Sequence, residues 1–227
     1  MKNNLLLLFF FPTLLWGQNI SIDPRNFNSG NIELIRAVNE NRNIKGNPYL
    51  DEAFSNSIIK FKDGVNYEGM LRFNIGKDVF ELKSKNTDEI YEFKLTQGIT
   101  VVHLNKEFET KMLSSENKLA TFEILIKNQP YSLYKYHKKI IKEPRKDVIA
   151  MPSSNQGNDR DAYWSEQSIL ILMTNNSVYQ IENSHKKMIK SGLVNVNNYN
   201  AIIKKNNYKL DKTEDVIKLI KELNSKQ

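Results

Sequence analysis

No cysteine occurs among the 227 residues, and that absence closes three routes at once. A diacylglyceryl lipoprotein anchor needs a cysteine at its cleavage site, a disulfide scaffold needs them in pairs, and a thiolate metal centre needs them as ligands. Stability must therefore come from packing. The nine glycines stand singly along the chain, so the glycine-rich loops that cradle phosphates or dinucleotides are missing as well. Histidine is scarce: His103, His137 and His185 are the only three, and they lie on separate stretches. With no H-E-x-x-H and no G-x-S-x-G, zincin chemistry and a nucleophile elbow have no support. A triad assembled in space is the route left to a hydrolase, and it ranks behind non-catalytic roles.

Long apolar runs are also lacking, with one short exception at the start. "MKNNLLLLFFFPTLLWGQ" has a cation at Lys2, an apolar stretch from Leu5 to Leu15, then Gly17 and Gln18, which is the pattern of a secretory signal peptide. A membrane-spanning helix needs roughly 20 apolar residues. This run is shorter and is interrupted by Pro12 and Thr13. Cleavage is expected after Gly17, giving an exported, periplasmic or secreted chain with no transmembrane segment. Roughly 210 residues would remain, enough for one sizeable core or two small ones.

Charge is plentiful and uneven. The formal net charge is +7 and the pI about 9.3. Residues 128–146 contribute +5, and residues 175–227 another +5 from ten Lys against five acids. Two basic zones of this kind favour association with an anionic surface, a statement about encounter and solubility and not about fold.

Periodicity then supplies the architecture. In "NYEGMLRFNI" Tyr67, Leu71, Phe73 and Ile75 fall on one side, with Glu68, Arg72 and Asn74 on the other, which is a half-buried strand. "KDG" at 62–64 and "GKD" at 76–78 provide turn chemistry on either side. The same alternation runs through "EIYEFKL", "GITVVHLN", "ATFEILIKN", "QSILILMTN" and "SVYQIE", with short connections that favour sequential antiparallel pairing. From Ser184 the period becomes helical. "SHKKMIKSGL" ends at Gly192, "VNNYNAIIKKN" places Val196, Tyr199 and Ile203 on one stripe, and "DKTEDVIKLIKELN" places Val216, Leu219, Ile220 and Leu223 at i, i+3, i+4, i+7, with Asp211 and Glu214 as a capping-box pattern.

The expected fold is α+β and mainly antiparallel: a β-meander, as a partly closed barrel or strongly curved sheet, with C-terminal helices packed on it. Its expected divisions are a signal peptide over 1–17, a polar N-terminal arm over 18–47 with a short helix from Ile32 to Val38, a β domain over 48–183, and a helical segment over 184–227.

The most basic run, "YSLYKYHKKIIKEPRK" from Tyr131 to Lys146, has two readings. On a strand, Leu133, Lys135 and His137 point one way and Ser132, Tyr134, Tyr136 and Lys138 the other, so its cations spread over both faces, and the first reading is a strand with a wet face. The sharper reading makes Tyr134 and Tyr136 stacking platforms beside Lys138 and Lys139, four binding residues of the kind used for single-stranded nucleic acid or a glycan. Of the histidines, His103 reads as a satisfied half-buried residue, His137 and His185 as solvated ones. One oxygen-rich loop, "NQGNDRD", offers Asn155, Asn158, Asp159 and Asp161, but lacks the spacing of a calcium loop and contains Arg160. Neither a metal nor another cofactor is expected.

"NPYLDEAF" (47–54), "MLRFNIGKDVFELK" (70–83), "FEILIKNQPYSLYKYHKK" (122–139) and "NNYKLDKTEDVIKLIKELNS" (206–225) together make the chain similar to a family of uncharacterised exported proteins found widely in Bacteroidota. The resemblance implies export through the inner membrane and a β-rich body with a helical end. It carries no established activity or catalytic residues. The functional expectation is a non-enzymatic binding or interaction module of the cell envelope, whose partner is an envelope component, a protein or an anionic polymer, with nucleic acid not expected. The alternatives are a carrier of a small apolar ligand inside a β-barrel and a hydrolase.

Overall fold

A computed structural model describes residues 19–22, 24, 32–38, 44–113, 116–127, 130–143, 161–175 and 177–226. The signal-peptide segment and Asn155, Asn158 and Asp159 lie outside them. The N-terminal arm contributes β1 (Asn19–Ser21) and β2 (Ile35–Arg36). The next strands are β3 (Ser55–Phe61), β4 (Asn66–Asn74), β5 (Val79–Lys83), β6 (Ile90–Phe93), β7 (Ile99–His103), β8 (Lys106–Leu113), β9 (Lys118–Ile126) and β10 (Ser132–Tyr136). A separate ribbon pairs β11 (Lys139–Lys142) with β12 (Tyr163–Glu166), after which β13 (Ile169–Met173) and β14 (Val178–Gln180) return to the main sheet. Three helices close the chain: α1 (His185–Lys190), α2 (Val196–Asn206) and α3 (Thr213–Ser225).

The main sheet runs β14-β13-β10-β9-β8-β7-β3-β4-β5-β6-β2, with β1 added parallel to β4. All its other pairings are antiparallel. One connection forces the shape. Residues 94–98 carry the chain from β6 to β7, four neighbours along the sheet. In a flat sheet that is roughly 19 Å at strand spacing, about the full reach of so short a linker. Curling removes the demand: the linker passes over β8, where Thr110 Oγ1 donates to the Leu95 carbonyl at 2.7 Å.

The inward face of the curl is the alternate set that the period marks. Phe73 stacks on Phe80 at 4.6 Å between ring centres, Phe80 on Phe93 at 5.8 Å, and Phe108 meets Phe80 edge-on at 5.7 Å. Leu71, Leu82, Ile99 and Val101 join them in one buried cluster. At the far side the β4–β5 turn reaches β9 just past the end of β10, where the Thr121 N–H donates to the Asp78 carboxylate at 3.3 Å. No ladder joins those two edges among the described residues. The sheet is strongly curved and not a closed barrel.

Residues 44–54 form a strap over the outside of β4 and β5. Leu50 N–H donates to Phe73 O at 3.0 Å, and Gly76 N–H to Pro48 O at 3.1 Å. The Arg72 guanidinium is held between the rings of Tyr49 (3.7 Å) and Phe54 (4.3 Å) while pairing with Glu81. Trp164 of the ribbon lies so close to Gly76 that a Cβ there would sit 2.7 Å from its ring.

A β-bulge divides the remaining sheet between two cores. Leu133 pairs with Ile126 and Tyr134 with Ile124, leaving Leu125 extra, and an unpaired residue turns the next side chain to the opposite face. Ile126, Leu133 and Leu172 therefore meet the helices, joining Met188, Tyr199, Ile202 and the whole α3 stripe. Phe122, Tyr134, Tyr136 and Ile171 pack together on the other face.

Several local expectations are corrected. Residues 35–36 form an edge strand against β6 and not a helix; Ile32 is drawn into the curl's core, which an extended chain allows and a surface helix would not. At 76–78 the left-handed residue is Asp78 (φ 56°), not Gly76; Gly76 is needed for the Trp164 contact. α3 begins at Thr213, which puts Lys212 and not Asp211 at the N-cap, so the Asp211–Glu214 capping box does not form; Asp215 in the first turn accepts from the Lys209 N–H.

Candidate functional site

The four residues singled out in the basic run come out spent on internal partners. Tyr134 and Tyr136 are each 4 % exposed and pack on Phe122 at 6.2 and 5.4 Å between ring centres. The Tyr134 hydroxyl donates to Glu109 at 2.8 Å, and burial together with that carboxylate pushes its pKa well above the usual phenol range. Lys138 pairs with Glu116 at 2.7 Å. Lys139 donates to the carbonyls of Tyr49 (2.6 Å) and Asn47 (3.2 Å), tying ribbon to strap. Neither tyrosine offers a ring face for stacking. The wet-face reading of β10 is corrected with it: the strand is covered on both sides, since His137 on the opposite face is also buried.

What the sequence could not announce is a polar row on the inward face, at the end of the curl where β3, β7, β8, β9 and β10 come together. Ser57 bonds His103 Nδ1 at 2.8 Å. The next group along joins Lys106 to Glu123 at 3.2 Å and Glu123 to His137 Nε2 at 2.6 Å. Phe80 lies edge-on to His103 and Phe108 beside His137, so both imidazoles rest on the phenylalanine core. One nitrogen of each, His103 Nε2 and His137 Nδ1, is buried without a partner among the described residues.

Polarity decides what Ser57 and His103 can do together. The Ser57 hydroxyl donates to the Ser55 carbonyl at 2.9 Å, and a hydroxyl has a single proton to give. The imidazole must therefore donate from Nδ1. A serine prepared for nucleophilic attack needs the reverse, with its proton passing to the histidine. Burial also holds the His103 pKa below its ordinary value, with Asp51 opposing and Lys106 adding to the effect. For Glu123, burial pushes the pKa up, but His137 and Lys106 outweigh it and leave the carboxyl below the usual range. This is a neutral imidazole beside an internally matched ion cluster. Among the described residues no three His, Asp or Glu side chains are placed to share a metal ion; Asp161, the described member of the oxygen-rich loop, pairs with Lys45 at 3.2 Å.

Lysines distribute differently on sheet and helices. On the sheet and its turns, Lys60, Lys77, Lys83, Lys106, Lys118 and Lys127 each have a carboxylate within 3.4 Å, while Lys62, Lys85, Lys94, Lys135 and Lys142 form no salt bridge among the described residues. Glu116, shared by Lys118 and Lys138, is held down to about 2 by those hydrogen bonds. Residues 184–226 carry ten lysines against four acids, and all ten are exposed. Only Lys187 finds a carboxylate, Glu182, among the described residues. Of the four acids, Glu222 accepts from Asn206 and Tyr208, and Asp215 from Lys209 N–H. The helices' inner faces are consumed by the core, so these cations form their solvent side.

Comparison with protein-family models, with curated proteins and with solved structures found no match. Among the described residues no helix is long and apolar enough to cross a membrane. His185, expected in solvent, bonds the Tyr199 hydroxyl at 2.7 Å, which leaves none of the three histidines free. The signal that could have found the Glu123–His137 pair is weak: both fall on the face opposite Phe122 and Tyr136, but only register brings them together.

Proposed function

We propose that the protein is a non-enzymatic binding module, exported to the cell envelope as the resemblance of its sequence implies, that docks on an anionic partner through the solvent face of its three helices. The observation that carries this reading is the crowding of ten exposed lysines on the helical segment, of which only Lys187 is paired with a carboxylate among the described residues, whereas more than half of the sheet lysines are paired. Like charges left close together destabilise the compact state, and an anionic partner relieves that repulsion while steering encounter. The polarity of Ser57 and His103 speaks against the hydrolase. The mutually touching phenylalanines occupy the space an apolar cargo would need.

The test is retention on immobilised polyphosphate across a salt gradient. Replacing Lys186, Lys190, Lys218 and Lys221 by Glu should bring elution to a much lower salt concentration, because fewer counterions are released on binding. Elution of that variant with the wild type, or turnover of ester, peptide or glycoside substrates abolished by Ser57→Ala, would overturn the proposal.

A further inference from the structure

At the connection from α1 to α2, in a chain rich in charge, lies a hollow with no charged lining residue. It measures about 330 Å³ and is lined by Pro130, Tyr131, Thr174, Asn175, Ser177, Gly192 and Leu193. Three turns meet there: the one before β10, the one between β13 and β14, and the connection from α1 to α2. The volume is at the small end of ligand pockets, roughly 300–1,000 Å³, which suits a short stretch of a longer molecule. The side chains of Thr174, Asn175 and Ser177 have no hydrogen-bond partner among the described residues, although their turn is braced by Thr174 N–H donating to Ser177 O at 2.9 Å. Gly192, left-handed at φ 70°, has open space where a Cβ would point. Hydroxyl and amide groups thus share the lining with the apolar side chains of Pro130 and Leu193, and Lys190 is two residues from Gly192 along the chain.

We propose that the anionic partner is an acidic polysaccharide, whose uncharged ring and hydroxyls enter this hollow while its carboxylates or sulfates meet the helix lysines. The inference rests on the docking reading above and narrows it. Two other polyanions fit less well. A lipid surface is gripped by inserting apolar side chains, and Val196 is the only large exposed apolar residue on the helices among the described residues. Single-stranded nucleic acid is gripped by stacking, and the helices' tyrosines are occupied, Tyr199 in the core and Tyr208 on Glu222. A sugar polymer needs neither. It needs an uncharged, hydroxyl-lined seat next to cations.

The experiment measures binding of oligogalacturonate, its methyl-esterified neutral form, polyphosphate, oligo-dT and anionic phosphatidylglycerol vesicles to the full chain, at one ionic strength. Oligogalacturonate should bind tightest at equal charge. Thr174→Val with Asn175→Ala should weaken it about tenfold, the loss expected from one or two hydrogen bonds, and leave polyphosphate unchanged. The neutral ester should compete for the hollow with little salt dependence, a readout on the wild-type chain that does not require the variant to fold. If polyphosphate, oligo-dT or vesicles bind as tightly as oligogalacturonate, or the ester does not compete, this inference fails while the docking proposal stands. If no polyanion binds and the lysine reversals are silent, both fail.

Discussion

Asp78 carries a cost that its surroundings only partly offset. Burial raises its pKa from 3.8 to about 6, against the lowering effect of the Thr121 hydrogen bonds and of Lys118 and Lys94. A carboxyl with a raised folded-state pKa binds its proton more tightly when folded, so its contribution is favourable in acid and lost as pH rises from about 4 through about 6. Asp78→Asn keeps an acceptor for the Thr121 N–H and suits the left-handed backbone. It should stabilise the protein at pH 7 by on the order of 2 kcal/mol and give no gain at pH 4, measured by urea denaturation at both. His103 has the opposite sign. Its lowered pKa means that stability is full above about 6.5 and declines as pH falls below it, because the unfolded chain takes up the proton first. His103→Asn retains a donor for Ser57 and should flatten that acid limb in a series of thermal melts. An unchanged slope would show that the imidazole does not titrate on unfolding. Neither effect could be read in the sequence: "GKD" and "VVHLN" mark turn and strand, but burial comes from β9 and β3, 43 and 46 residues away.

The elements themselves were legible because each carries its own period. β4 places Leu71 and Phe73 inward as its alternation requires, and Ile75 just past it continues the face; α2 spans the expected "VNNYNAIIKKN", but its buried residues are Tyr199 and Ile202, and Val196 of the expected stripe is exposed. Ser184 caps α1 by accepting from Lys187 N–H, and Gly192 follows its end in the left-handed region. The α3 stripe is the strongest case: Val216, Leu219, Ile220 and Leu223 are all buried. Truncating Leu219 to Ala should cost about 2–5 kcal/mol, seen as a lower urea midpoint, because Leu219 is fully buried in the core that α3 shares with the sheet. Two elements were misjudged. β2 is a strand because it pairs with the edge that β6 offers, and α3 starts one residue later than a cap at Asp211 would set.

The curl is a property of the entire chain. Four strand spacings separate β6 from β7, joined by the linker at 94–98, and the bond from Thr110 to Leu95 holds it across β8. Thr110→Val would leave the Leu95 carbonyl buried and unpaired, at a cost of about 1–3 kcal/mol, and should lower the single unfolding midpoint of the sheet without changing far-UV circular dichroism of the native state. Strand and helix content, antiparallel pairing and the inward apolar faces are local matters, set by spacing along the chain, and the amino-acid order alone settles them. Register and curvature are not. They depend on which distant strands meet, and they alone bury Tyr134 and Tyr136, orient Ser57 against His103 and join Glu123 to His137. Contact free energy between residues far apart in the chain has no period to read, so the candidate sites appear only once the sheet has bent.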